Sequence, residues 1–299
     1  LHFEGKNYFH LAGIVPLAGQ PLEFNMPWHD SCMPISSNYL AVERAAVECA
    51  YAGCETIWIV CHDDVQPLIR YRLGDYINDP VWVARTKDNR PSESKKQIPI
   101  FYVPIHPKDR DKRDCLAWSV LHGAMSAYNV SKTISAWTIP DRYYTAFPYG
   151  IYPPEIVREH RDEISGKGGF SLSFSGGTVR EDKYLGFTFN NDDFITIRKI
   201  FREKATGLYK ANPEGGIPTE RLPLEERYSA RFFELSDVFC PLEQDKAGPK
   251  EVPWYYDIST WKGYQEFMGS DHSKKIIRPP KSILSYHEMA KIGQDNENN

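Results

Sequence analysis

The chain has 299 residues, 41% hydrophobic and 25% charged, with a formal net charge of -4, an ordinary globular balance long enough to bury a substantial core. The net charge and a pI of about 6.2 give no general attraction to phosphate backbones, so a nucleic-acid partner is not expected. No apolar run approaches the roughly 18 residues needed to span a bilayer, and Leu1 to Lys6 lacks the charge-then-apolar pattern of a secretory signal, so a cytoplasmic chain is expected.

Leu11 to Leu17 is a short apolar run ending in the turn Ala18-Gly19-Gln20-Pro21. Such a run suits the centre of a parallel sheet covered on both faces, and Pro16 should end it near Val15 or Leu17. After a long loop, Tyr39, Val42, Ala46 and Cys49 fall on one helical face, with Gly53 placed as a C-terminal cap. Thr56 to Val60 follows as a second buried strand. Asp63, with Gln66 three residues on, is read as the capping box of a helix reaching Leu73. Residues 87–97 are polar and read as an exposed excursion. Ile98 to Val103 reads as a strand, Asp114 to Tyr128 as a helix capped by Asp114, and Thr133 to Ile139 as a fourth strand ending at Pro140-Asp141-Arg142.

The second half is less regular. A hairpin is predicted around Gly176-Gly177, a strand from Tyr184 to Phe189, and a helix from Asp192 or Asp193 to Lys204. Mixed helix follows from Glu225 to Val238, then a helix ending near Met268, and a polar tail. The six cysteines form no Cys-x-x-Cys pair and no zinc spacing, so buried free thiols are expected.

Alternating strands and helices predict an α/β fold: a mostly parallel central sheet with helices on both faces and irregular α+β additions in the C-terminal half. In such sheets ligands bind beyond the carboxyl ends of the strands, which draws attention to Ala18-Gly19-Gln20 and to His62, Asp63 and Asp64. The Gly19 turn offers backbone N–H groups to a phosphate or base, or is simply a tight turn. Asp63 has a structural role as a cap. His29 and Asp30, beside Trp28, suit an acid–base pair or a loop packed by its tryptophan. Lys108 to Arg113 alternates acids with bases and reads as a solvated loop or helix start.

The order of features resembles the sugar-phosphate nucleotidyltransferases, which have a GT-A-like, Rossmann-like fold. Ile14-Val15-Pro16-Leu17-Ala18-Gly19 matches the family's first strand and loop. Met33-Pro34-Ile35 matches the apolar-Pro-Ile before its helix, and Glu43 to Gly53 and Ile57 to Val60 match the helix and second strand. Ile139-Pro140-Asp141 is similar to the strand end that carries a metal-binding Asp. Trp254 to Trp261 is similar to the late Trp-x-Asp-x-Gly-Thr-Trp element, whose Asp is a second metal ligand.

The resemblance implies one nucleotidyltransferase-like domain over residues 1–270, with a nucleotide-binding half (1–145), an acceptor-side half (146–270) and a tail from 271 to 299. It implies Mg²⁺ held by Asp141 and Asp257, Arg142 as a catalytic phosphate contact beside Asp141, and a nucleotide contacted by Ala18, Gly19, Gln20 and Arg113. The partners implied are a nucleoside triphosphate and a sugar phosphate. The loop departs from the family: it carries fewer glycines, lacks the Thr-Arg pair, and places Asp30 where the family has Lys. Those cations stabilise charge on the departing pyrophosphate. Their loss leaves a second expectation open, a catalytically inactive relative that binds or assembles as a homo-oligomer or within a larger complex.

Overall fold

The computed structural model describes residues 9–19, 28–85, 96–205, 209–210, 212, 215–217, 220–223, 226–227, 229–242 and 248–284. Gln20, most of the 87–97 excursion and the last fifteen residues of the tail lie outside the described residues.

The first strand, β1 (Leu11–Pro16), is buried along its whole length. Helix α1 (Ala41–Ala52) follows, with every residue but Tyr51 buried. It ends at Gly53, whose φ of 91° is the left-handed turn that favours glycine. Strand β2 (Thr56–Cys61), helix α2 (Gln66–Leu73), strand β3 (Tyr76–Asn78) and strand β4 (Gln97–Pro104) come next. A short helix α3 (Pro107–Arg113) leads into the 19-residue α4 (Leu116–Ile134). Strand β5 (Arg142–Thr145) is followed by β6 (Gly150–Ile151), β7 (Phe187–Asn190) and helix α5 (Asn191–Lys204). Helix α6 (Leu235–Phe239), strand β8 (Tyr256–Asp257) and helix α7 (Trp261–Met268) complete the labelled elements.

The main sheet has the order β7-β5-β1-β2-β4-β3. Its four central strands run parallel, and β7 and β3 close the edges antiparallel. Alternation along β1 serves both faces. Leu11 and Val15 join a core with α1, Ile69 and Leu73, while Ala12 and Ile14 join a second core with α4, Ile197, Phe201 and Phe239. The expected α/β architecture, mostly parallel with helices on both faces, is the one observed.

Three local readings are corrected. Thr133 to Ile139 is not a strand: α4 runs on through Ile134, a 3-10 turn covers Ala136–Thr138, and the sheet receives Arg142–Thr145 instead. Asp63 caps no helix, because α2 starts at Gln66 with Val65 at its N-cap and Pro67 in its first turn. The cap of α4 is Cys115, whose Sγ accepts from the Trp118 N–H at 3.4 Å, while Asp114 turns to His62 Nε2 at 3.1 Å. Five cysteines are buried and Cys240 is exposed, all as free thiols.

Candidate functional site

The carboxyl ends of β1, β2 and β4 open beside the start of α4. The chain leaves β1 with the Leu17 and Ala18 N–H groups both donating to Val60 O, at 2.8 and 3.0 Å. The Ala18 carbonyl accepts from Ser119 Oγ at 2.6 Å. Both polar backbone groups of Ala18 are therefore consumed by the fold, and the residue acts as a floor. Gly19 passes so close to α4 that a Cβ there would lie 3.3 Å from the Leu116 nitrogen. The turn is thus tied to the helix N-terminus, where unpaired N–H groups gather.

Asp141 and Arg142 lie at the other edge. Because the strand begins at Arg142 rather than ending at Pro140, and Arg142 is in register with Leu11, both sit at the amino end of the sheet. The length of β1, about 20 Å at 3.3 Å per residue, separates them from the Gly19 turn. The Asp141 N–H donates to His10 O at 2.9 Å, and its Oδ2 accepts from His10 N at 2.8 Å. Arg142 is buried and donates to the carbonyls of Ile164, Lys167 and Gly168, fastening that segment to the sheet. The sequence expectation that Asp141 and Asp257 share one ion is corrected on this geometry.

Asp257 does reach the carboxyl side. Strand β8 pairs antiparallel with β6, with Asp257 opposite Gly150, and the Ile258 N–H donates to Tyr149 O at 2.9 Å. Ser259 N–H donates to Asp257 Oδ1 at 2.8 Å. Gly150 is required here, since a Cβ would fall 1.9 Å from the Tyr184 carbonyl. Gly150→Ala is expected to cost about 1–3 kcal/mol through forced backbone displacement, read as a lowered urea midpoint with an unchanged slope.

Asp257 lines a cleft of about 420 Å³ together with Cys115 and Leu116 of the α4 start, Asp182, Tyr184 and the Arg231–Leu235 segment. Gly19 and Asp257 thus flank the same end of α4. Among the described residues, the cleft lining holds three carboxylates and one arginine. Glu234 is pushed above the ordinary carboxylate range, first by the charge of Asp182 and then by desolvation. The Asp182 carboxylate is held by the Ser236 N–H at 2.7 Å. Burial, followed by the Asp257 charge, raises the Tyr184 phenol to about 12. Asp182, Tyr184 and Glu234 are site residues that sequence reasoning missed. They belong to separate segments with no shared motif, and only the fold brings them together.

Farther along the edge, Arg113 stacks over the Trp118 ring at 4.4 Å and pairs with Asp109 at 3.0 Å, beside the first turn of α4. Arg110 lies 3.7 Å from Asp63. His29 Nδ1 accepts from Ser31 N–H at 3.2 Å, and burial pulls its pKa down, against the opposing pull of Asp30.

A buried network supports the Asp257 strand from below. Arg44 and Glu48 are fully buried and 2.9 Å apart. Arg44 donates to the carbonyls of Phe147 at 3.1 Å, Gly150 at 2.7 Å and Tyr152 at 3.4 Å. Glu48 Oε1 accepts from the Tyr144 and Tyr152 hydroxyls at 2.7 and 2.6 Å. Burial alone would weaken the charge on Arg44, but the Glu48 carboxylate, Tyr152 and Tyr39 together outweigh that cost and hold the guanidinium pKa above its ordinary value. The turn that presents Gly150 to Asp257 is therefore pinned by a core ion pair.

Neither a protein-family profile nor a curated protein matches the sequence. Solved structures do match over most of the chain. One is a Bacillus anthracis protein described as a glucose-1-phosphate thymidylyltransferase, in complex with sucrose. It is 12% identical over 91% of this chain and 98% of its own, with a TM-score of 0.55. A UDP-glucose pyrophosphorylase complexed with UDP-glucose is 13% identical over 89% of this chain and 100% of its own, with a TM-score of 0.52. A UDP-glucose pyrophosphorylase from Acinetobacter baumannii is 12% identical over 87% and 92%, with a TM-score of 0.50. With its parallel centre, antiparallel edges and carboxyl-edge cleft, the chain has the fold of the sugar-phosphate nucleotidyltransferases.

Proposed function

We propose that the chain transfers a nucleoside monophosphate from a nucleoside triphosphate to a sugar phosphate or chemically similar acceptor, releasing pyrophosphate. What supports this reading is that the start of α4 borders the Asp257 cleft on one side and lies against the Gly19 turn on another, at the carboxyl edge of a nucleotidyltransferase-type sheet. The Gly19 turn and the start of α4 hold the nucleotide, and residues after 145 supply the acceptor side of the cleft. Holding the acceptor phosphate in line with the α-phosphorus provides the main acceleration, by orientation. Arg231 is the cation that lines the cleft.

Among the described residues no group of three or more His, Cys, Asp or Glu side chains gathers as a metal site, so a divalent ion at Asp257 would rest on that carboxylate together with phosphate and water oxygens. Mg²⁺ takes one or two carboxylates and completes its shell with water and phosphate oxygens, and Asp182 and Glu234 crowd the same cleft. Bound there with the triphosphate, Mg²⁺ would neutralise phosphate charge. Asp141, at the far edge, has no part in it.

A second reading, binding without turnover, draws on the acidity of the cleft, since three carboxylates against one arginine disfavour a triphosphate in the absence of the ion. Calorimetry with the common nucleoside triphosphates, with and without Mg²⁺, combined with a pyrophosphate-release assay over a panel of sugar phosphates, decides between the two. Mg²⁺-dependent binding with release supports transfer. Binding without release supports the inactive relative. The absence of any binding at about 1 mM removes both.

A further inference from the structure

At the amino edge of the sheet, away from the cleft, α4 and α5 leave a groove between them. Its cavity of about 390 Å³ is lined by Met125, Tyr128, Ile139, Tyr143, Phe194 and Ile195. A shallower cavity of about 530 Å³ continues along α5 past Arg198 and Arg202 to Glu203. The floor is firm. Tyr143 OH donates to Asn191 Oδ1 at 3.1 Å, and Asn191 Nδ2 donates to Pro140 O at 3.3 Å. Ile195 nevertheless stands 64% exposed beside it.

The charge along the groove runs against that of the chain. Arg198 and Arg202 sit one turn apart on the exposed side of α5, and among the described residues neither has an acidic partner. Lys199 pairs with Glu203 at 3.8 Å, and Lys132 lies over the Tyr128 ring on the α4 side. Asp192 lines the α5 N-terminal end of the trough, and past it Arg198 and Arg202 give a protein of net charge -4 a basic stretch alongside apolar side chains. Met, Tyr, Phe and Arg are the residue types enriched at protein interfaces. The trough is open rather than enclosed. From Asn191 to Glu203 it follows about 18 Å of helix at 1.5 Å per residue, which is room for about three turns of a second helix. A small ligand favours a pocket that envelops it, whereas an open trough of this length suits an amphipathic helix laid into it.

We infer that the α4–α5 groove docks an acidic amphipathic helix of a partner protein, its apolar side on Ile195 and Tyr128 and its carboxylates on Arg198 and Arg202. This surface is separate from the cleft and stands whether or not the chain is a catalyst.

The test uses the full chain and two labelled helical peptides of about 14 residues, both with leucines on one face. One carries glutamates on the other face and the second carries lysines. Fluorescence anisotropy should show the glutamate peptide binding in the micromolar range and the lysine peptide binding at least about tenfold more weakly. Arg198→Glu/Arg202→Glu should reverse that preference, and Ile195→Asp should weaken both peptides. These are surface substitutions, and circular dichroism will confirm that the variants are folded. Equal binding of the two peptides, no binding at about 1 mM, or a preference unchanged by the charge reversal would overturn the inference. Sedimentation of the chain alone closes the remaining route. A dimer that Ile195→Asp dissolves would assign the groove to a second copy and reject the partner helix.

Discussion

Arg44→Leu is expected to lower folding stability by about 3–5 kcal/mol, a larger loss than that expected of Gly150→Ala or of either aspartate variant below. Arg44 has no exposure and serves the Glu48 carboxylate and three carbonyls at once. Removing it leaves a buried charge unpaired and frees the Phe147–Tyr152 turn. Arg44→Met/Glu48→Gln should recover more than half of that loss, because the charge disappears from both sides while the introduced amide oxygen still accepts from Tyr144 and Tyr152. Urea unfolding of the two variants measures the difference. A single-variant loss below about 1 kcal/mol would show that the pair is not holding the turn. The turn also carries Gly150, the partner of Asp257 in the β6–β8 ladder, so the single variant should lose ligand binding before it loses its fold.

Asp257→Asn should lower nucleotide turnover by about 100-fold or more while leaving stability within about 0.5 kcal/mol, since the amide oxygen can still accept from Ser259 N–H. Asp141→Ala should do the reverse. It removes the acceptor for His10 N–H, costs about 1–2 kcal/mol of stability, and leaves turnover unchanged. The two variants assign the chemistry to one edge of the sheet. A folded Asp141→Ala protein without turnover would return the site to the amino edge.

The contrast between these two aspartates shows where the sequence is legible. β1, α1 and β2 announce themselves by continuous apolar runs and by Gly53, because both faces of the central strands are covered and the helix needs a left-handed exit. Thr133 to Ile139 misleads for a physical reason. Its β-branched residues favour strand, yet Thr133 and Ile134 complete the last turn of a long helix anchored by Ala124, Ala127 and Ser131 in the core. Tertiary packing overrides propensity, and the shift of the strand to Arg142 carries Asp141 to the opposite end of the sheet. Asp257 stands out in the sequence because its neighbours form a local motif, whereas Asp182 and Glu234 are separated by β7 and α5 and come together only in the fold.

At the far edge of the sheet, the outer side of β3 is satisfied by the chain's own late residues. Asn78 N–H donates to Ile283 O at 3.1 Å, its side chain donates to Ser282 O at 2.8 Å, and Leu284 is buried beside them. During synthesis Asn78 on this rim lacks these two bonds until residues 282 and 283 clear the ribosome, about two hundred residues after β3 has emerged. Nascent chains halted short of Pro280 would present an open β edge, the surface on which unfinished proteins associate.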